Sequence, residues 1–215
     1  MRINREDKIH WINLIPYFGI VLFIGLYVYS STLYPGGSQA DLNAEGFSWV
    51  NNYWCNLMNA NGQNGQVNPA RPIAIFAWIV LCMSMMVFFI QFAIILVNIR
   101  WWRQVIIIGA VFSMIFASLI FSKYHDLMTI LSSLFGLFVV IGIIREIYRS
   151  DLVMYKFLGL LCLILLGLNN FIYYSEAFLQ WLPILQKISM AIVLLWILGL
   201  NLVLIKTKRA LAQRV

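Results

Sequence analysis

Charge is scarce in this sequence. Only 11% of its 215 residues are charged, while 62% are hydrophobic. Soluble domains carry about 25% charged residues, so a globule of this composition would lack the polar groups to cover its surface. Histidine is nearly missing, with His10 and His125 the only two. They fall on opposite sides of the topology below, which excludes a bis-histidine haem within one bundle and a His-rich zinc hydrolase site. The three cysteines, Cys55, Cys82 and Cys162, form no CxxC pair and suggest no metal site. Also missing are a Gly-rich phosphate loop, a GxSxG elbow, an HExxH motif, the paired broken spans of an inverted-repeat transporter and a lysine deep in the last span. No cofactor and no metal are expected. Internal repeats, heptads and low-complexity segments are lacking as well.

What is present is apolar sequence in long continuous runs. A transmembrane β-barrel would instead show alternating segments of about ten residues. Helices satisfy their own backbone hydrogen bonds in hydrocarbon, and crossing about 30 Å takes about 20 residues. Six such runs are legible: 11–33, 72–98, 104–122, 127–144, 155–174 and 183–205. The sequence therefore predicts an all-α, polytopic membrane protein, a six-helix bundle forming one domain over 1–215. The first run follows basic residues as a signal peptide would. It is long for one, however, and no small-x-small cleavage site follows, so it is read as a retained span.

Basic residues set the orientation, because Lys and Arg are retained in the cytoplasm. Arg2, Arg5, Lys8, Arg100, Arg103, Arg145, Arg149, Lys156, Lys206, Lys208, Arg209 and Arg214 fall on one side, leaving Arg71, Lys123 and Lys187 on the other. Both termini are thus expected in the cytoplasm of a cell with the protein in its inner (plasma) membrane. The net charge of +7 follows from this bias and signals no nucleic-acid partner. Trp11, Trp101, Trp102, Tyr173, Tyr174 and Trp181 lie at run ends, where amphipathic rings prefer to sit. Gly136, Gly142, Gly159 and Gly167 are expected to permit close helix approach.

The long outer loop, residues 34–71, opens with the turn signal Tyr34-Pro-Gly-Gly-Ser38. Its centre, around Asn52, is dense in aromatics, Trp49, Tyr53 and Trp54 among them, which a disordered linker would avoid. It is expected to be ordered and to fold down over the bundle mouth.

Polar residues gather at that same depth. Lys123, His125 and Asp126 join spans three and four. Asn169 and Asn170 lie in span five below Tyr173, Tyr174 and Glu176, while Gln186 and Lys187 lie one turn into span six and Arg71 opens span two. Each has a plainer explanation: Lys187 would snorkel, Asp126 would complement a helix dipole, and the Asn pair would join helices. Together they favour an outward-facing polar pocket, because ionisable residues near a bilayer face a bundle interior or a functional path. Asp126 and Lys187 are expected to pair across it. His125, Thr129, Ser132 and Gly136 recur at helical spacing on one face of span four, expected to look inward.

The motifs Tyr34-Pro-Gly-Gly-Ser38, Asn52-Tyr-Trp-Cys-Asn-Leu57, Asn68-Pro-Ala-Arg-Pro72, His125-Asp126 and Gln186-Lys187 resemble those of bacterial six-span proteins grouped as domain of unknown function 998. That group is distantly similar to the Frag/DRAM/Sfk-like proteins. The resemblance covers most of the chain and implies the six-span fold, but no activity.

Three functions follow as expectations. The first is binding or sensing of a lipid headgroup or small ligand, with Arg71, Lys123, His125, Asp126, Asn169, Asn170, Tyr173, Glu176, Gln186, Lys187, Asn52, Tyr53 and Trp54 as contacts and membrane lipids as partners. The second is an intramembrane enzyme with His125 as general acid or base, Asp126 orienting it and Lys187 stabilising charge; Cys55 and Ser38 are the only nucleophile candidates. The third is a structural subunit of a membrane complex.

Overall fold

A computed structural model describes residues 5–212, with side chains over 11–210. Its helices are α1 (Arg5–Thr32), α2 (Arg71–Leu96), α3 (Arg100–Ser118), α4 (His125–Tyr148), α5 (Val153–Ser175) and α6 (Leu182–Ala212). All six are long and apolar enough to cross a membrane. Their outer surface carries large exposed apolar side chains such as Phe18, Phe76, Phe157 and Leu195. That is the reverse of a soluble surface, and it suggests a multi-pass membrane protein.

Helix ends differ from the apolar runs for local reasons. α4 and α6 run past them, because charged residues continue a helix once it leaves the apolar stretch; Arg145, in the last turn of α4, lies 5.1 Å from the centroid of the Trp102 ring. α3 stops at Ser118, four residues early. Ser118 Oγ bonds back to the Ile115 carbonyl, and the chain then turns through Leu119 (φ −104°, ψ 5°). Hydroxyl back-bonding of this kind competes with the helix ladder.

α2 is the central helix, packing on α1, α3 and α6. Its buried face runs through Ala74, Ala77, Leu81, Met85, Phe88 and Phe92, the three-to-four spacing of one helical stripe. α3 and α4 form a tight pair: a Cβ on Gly142 would stand 2.5 Å from Ile106 Cγ1. Gly167, by contrast, has nothing within 4 Å of such a Cβ, so the expected close approach there is not made.

Proline inside α1 has a visible remedy. Pro16 has no N–H to give the Ile12 carbonyl, and its ring disturbs the neighbouring bond of the ladder. Gln91 of α2 donates to the Ile12 carbonyl at 2.9 Å, and Asn201 of α6 donates to the Asn13 carbonyl at 2.8 Å. Lys208 adds a bond to Asn13 Oδ1 at 2.9 Å, and the Tyr17 hydroxyl donates to the Leu198 carbonyl. The end of the bundle carrying the termini is thus tied through polar bonds onto α1.

Candidate functional site

The opposite end carries the loop between α1 and α2, whose shape rests on asparagine. Asn side chains pair with local backbone and so stabilise turns. Asn52, fully buried, donates to the Gly37 carbonyl and accepts from the Ser48 N–H, both at 2.8 Å. Asn64 holds the Pro35 carbonyl. Asn68 donates toward the carbonyls of Asn56, Leu57 and Asn59 while its own oxygen accepts from the Ala70 N–H. Gly36 and Gly37, at φ 131° and 78°, take conformations closed to most L residues.

This loop sits on the helices through a short 3₁₀ turn, Trp54–Met58. The Trp54 ring lies 5.4 Å from Phe23 and 5.1 Å from Tyr27 of α1, centroid to centroid. The Trp54 N–H donates to Gln186 Oε1 of α6 at 3.2 Å.

Between the loop, α4, α5 and α6 lies a partly open cleft of ≈ 520 Å³. Tyr53 and Cys55 line it from the loop; His125, Asp126, Thr129 and Ile130 from α4; Asn169, Asn170, Tyr173 and Tyr174 from α5; and Leu182 and Gln186 from α6, with Ile120 just past α3. Its size falls within the usual range for small-molecule sites, about 300–1,000 Å³. Of the contacts expected from sequence, Tyr53, His125, Asp126, Asn169, Asn170, Tyr173 and Gln186 are brought together here.

The others are placed elsewhere. Lys187 turns up into the loop, donating to the carbonyls of Asn52 and Pro183 and lying 5.7 Å from the Phe47 ring centroid. The expected pairing with Asp126 is therefore not made; Asp126 sits 3.1 Å from His125 Nδ1 instead, with its side chain 85% exposed. One residue along a helix turns a side chain by about 100°, which is why Gln186 reaches the cleft and its neighbour does not. Arg71 donates to the Met58 carbonyl, Lys123 lies over the Tyr124 ring, and Trp54 and Asn52 are structural parts of the loop. Glu176 ends α5 in the left-handed conformation, φ 56°, outside the cleft lining. Ser38, one of the two nucleophile candidates, is used in a turn with Asp41.

The stripe on α4 divides. Ser132 and Gly136 face α3, where Ser113 Oγ donates to the Ser132 carbonyl at 2.8 Å, while His125 and Thr129 line the cleft. Cys55, Ile120, Thr129, Ile130, Tyr174 and Leu182 line the cleft outside the expected contact set. Tyr174 carried a signal, since it flanks Tyr173 at the same helix end; the aliphatic residues carried none.

Cys55 is partly covered, and burial pushes its thiol up to about 11 from an ordinary 9.0, so at neutral pH it is a protonated, weak nucleophile. Burial also raises the Tyr53 phenol, which stays a hydroxyl. Among the described residues no three His, Cys, Asp or Glu side chains stand together as a metal site would need. Comparison of the chain with protein-family models, with curated proteins and with solved structures finds no match in any of the three.

Proposed function

We propose that this chain is a multi-pass protein of the inner (plasma) membrane, its termini cytoplasmic and its loop outside. In this reading the cleft binds or senses a lipid headgroup or a small ligand at the outer leaflet boundary. One observation carries it: the loop, α4, α5 and α6 converge polar and aromatic side chains on a single ≈ 520 Å³ cleft at the loop end, beside an apolar exterior. Polar groups at that level are costly unless they have a task. The resemblance to the domain-of-unknown-function group is consistent with the topology and adds no activity.

An enzymatic reading is weaker. The His125–Asp126 contact at 3.1 Å suits a base and its orienting group, but Cys55 is held as a thiol and Ser38 lies in its turn away from the cleft.

Native mass spectrometry of protein released gently from membranes tests the binding reading. Wild-type protein should retain a bound amphiphile or small molecule, and Asn170→Trp, which fills the exposed wall of the cleft, should lose it. Identical adducts on both proteins would remove the cleft as the site. Orientation is tested in a cysteine-free background. Asn61→Cys, on the exposed loop, should react with an impermeant maleimide in intact cells, and labelling only after the membrane is breached would reverse the topology.

A further inference from the structure

The whole chain is basic, at +7, yet the cleft is not. Among its lining residues Asp126 is the only Asp, Glu, Lys or Arg. The three cations near this end are directed to backbone carbonyls or a tyrosine ring, as described above. An anionic headgroup would therefore meet a carboxylate and no cation.

The hydrogen bonds inside the walls carry the same sign. Asn169 spends its amide N–H groups on the Leu165 carbonyl and Ser189 Oγ, and Asn170 spends one on the Leu166 carbonyl at 2.8 Å. Only the NH₂ side of an amide can donate to a carbonyl, so in both residues Oδ1 has no partner among the described residues, and Asn170 keeps one further N–H. Thr129 donates its hydroxyl to the His125 carbonyl. His125 Nδ1 lies 3.1 Å from Asp126 Oδ1, which turns its Nε2 edge away from that carboxylate. Gln186 on α6 runs the other way, its Oε1 accepting from the Trp54 backbone N–H, so α4 and α5 leave mainly acceptors toward the cleft beside a single amide NH₂ from α6.

Aromatic faces complete the set. Tyr173 and Tyr174 meet edge to face, centroids 5.2 Å apart, and Tyr53 lines the same space from the loop. Tyrosine faces attract cations, ammonium groups above all.

We propose that the cleft selects an ammonium group, primary or quaternary, held by Asp126 and the tyrosine faces, with any alkyl portion lying along Ile120, Ile130 and Leu182. This rests on the reading of the cleft as a ligand site and names the chemistry of its occupant. The ammonium belongs equally to a membrane amphiphile or to a free small cation.

The test uses the full chain in maltoside micelles, titrated with dodecyltrimethylammonium, laurate and choline, with apparent affinity read by thermophoresis. Dodecyltrimethylammonium should bind more tightly than laurate. Asp126→Asn should weaken it about threefold to fivefold, the size of a screened ion pair, while Asp151→Asn at the far end leaves it unchanged. Tyr173→Leu should weaken binding and Tyr173→Phe, which keeps the ring, should retain it. Choline binding as tightly as the alkyl probe supports the ammonium and assigns it a soluble source; the alkyl probe binding alone supports it and assigns a membrane source. Laurate binding as tightly as the cation overturns the ammonium while leaving the cleft a ligand site. Failure of all three probes overturns both the ammonium and the reading of the cleft beneath it.

Discussion

The ammonium of Lys187, one turn into α6, donates to the main-chain carbonyl of Asn52, 135 residues earlier in the chain. A lysine at this position would ordinarily snorkel. Here it fastens the loop to a helix, with the Pro183 carbonyl and the Phe47 ring sharing its charge. Lys187→Met should therefore loosen the loop, lowering stability by about 1–3 kcal/mol, the usual worth of a hydrogen bond to a charged group. Faster protease cutting within 38–66 than in wild type is the expected readout. In a double-mutant cycle with Asp126→Asn the two effects should add to within about 0.5 kcal/mol. A larger coupling would restore the ion pair that the geometry denies.

Asn68 should be the least replaceable residue of the loop. Its amide reaches three carbonyls and accepts one N–H, and it is 4% exposed. Asn68→Ala leaves those groups without their partner, at about 1–3 kcal/mol for each buried group that water cannot reach. A large drop in melting temperature in detergent is expected. Asn68→Asp keeps the acceptor but loses the donors, and should rescue little.

The remedy for Pro16 predicts a sign as well as a size. Gln91→Leu should destabilise the wild-type chain by exposing the Ile12 carbonyl to an apolar surround. In a Pro16→Ala background, residue 16 supplies the missing N–H, so the same change should cost less. Coupling of about 1 kcal/mol or more, within the range for residues sharing a partner, is expected from thermal unfolding of the four proteins. Equal costs in both backgrounds would separate Gln91 from the proline.

Cys55 reports on how closely the loop is seated. In a chain carrying Cys82→Ser and Cys162→Ser, its alkylation rate should keep rising with pH toward a midpoint near 11, because only the thiolate attacks. The unfolded thiol ionises from about 9 upward and the folded one does not until about 11, so stability should fall as pH climbs through that window. A midpoint near the ordinary 9.0 would mean the loop leaves the thiol in water.

The helices were legible in the sequence because bilayer-length apolar runs need no finer pattern to be seen. Depth was legible too, since position along a helix converts directly into height; this is how His125, Asp126, Asn169, Asn170 and Tyr173 were placed at one level. Direction around the helix was not. Gln186 and Lys187 are neighbours in sequence and part company in space, because the apolar faces of α6 do not say which side meets the loop. The Pro16, Gln91 and Asn201 arrangement went unread for another reason. Gln91 and Asn201 are rare polar residues within apolar runs, but a proline's missing donor shows only when the partner helices are in place.

That arrangement also bears on the order in which the protein is made. Ile12 finds its donor in the second helix, 79 residues on, whereas Asn13 waits for Asn201 and Lys208, 188 and 195 residues later, and Tyr17 waits 181 residues for Leu198. Among the described helices, α1 is made before the other five and is completed only when α6 follows. Until α6 emerges, α1 has the Gln91 bond to Ile12 but lacks the Asn201 bond to the neighbouring carbonyl. A chain cut short before α6 would leave α1 without the Asn201, Lys208 and Leu198 contacts.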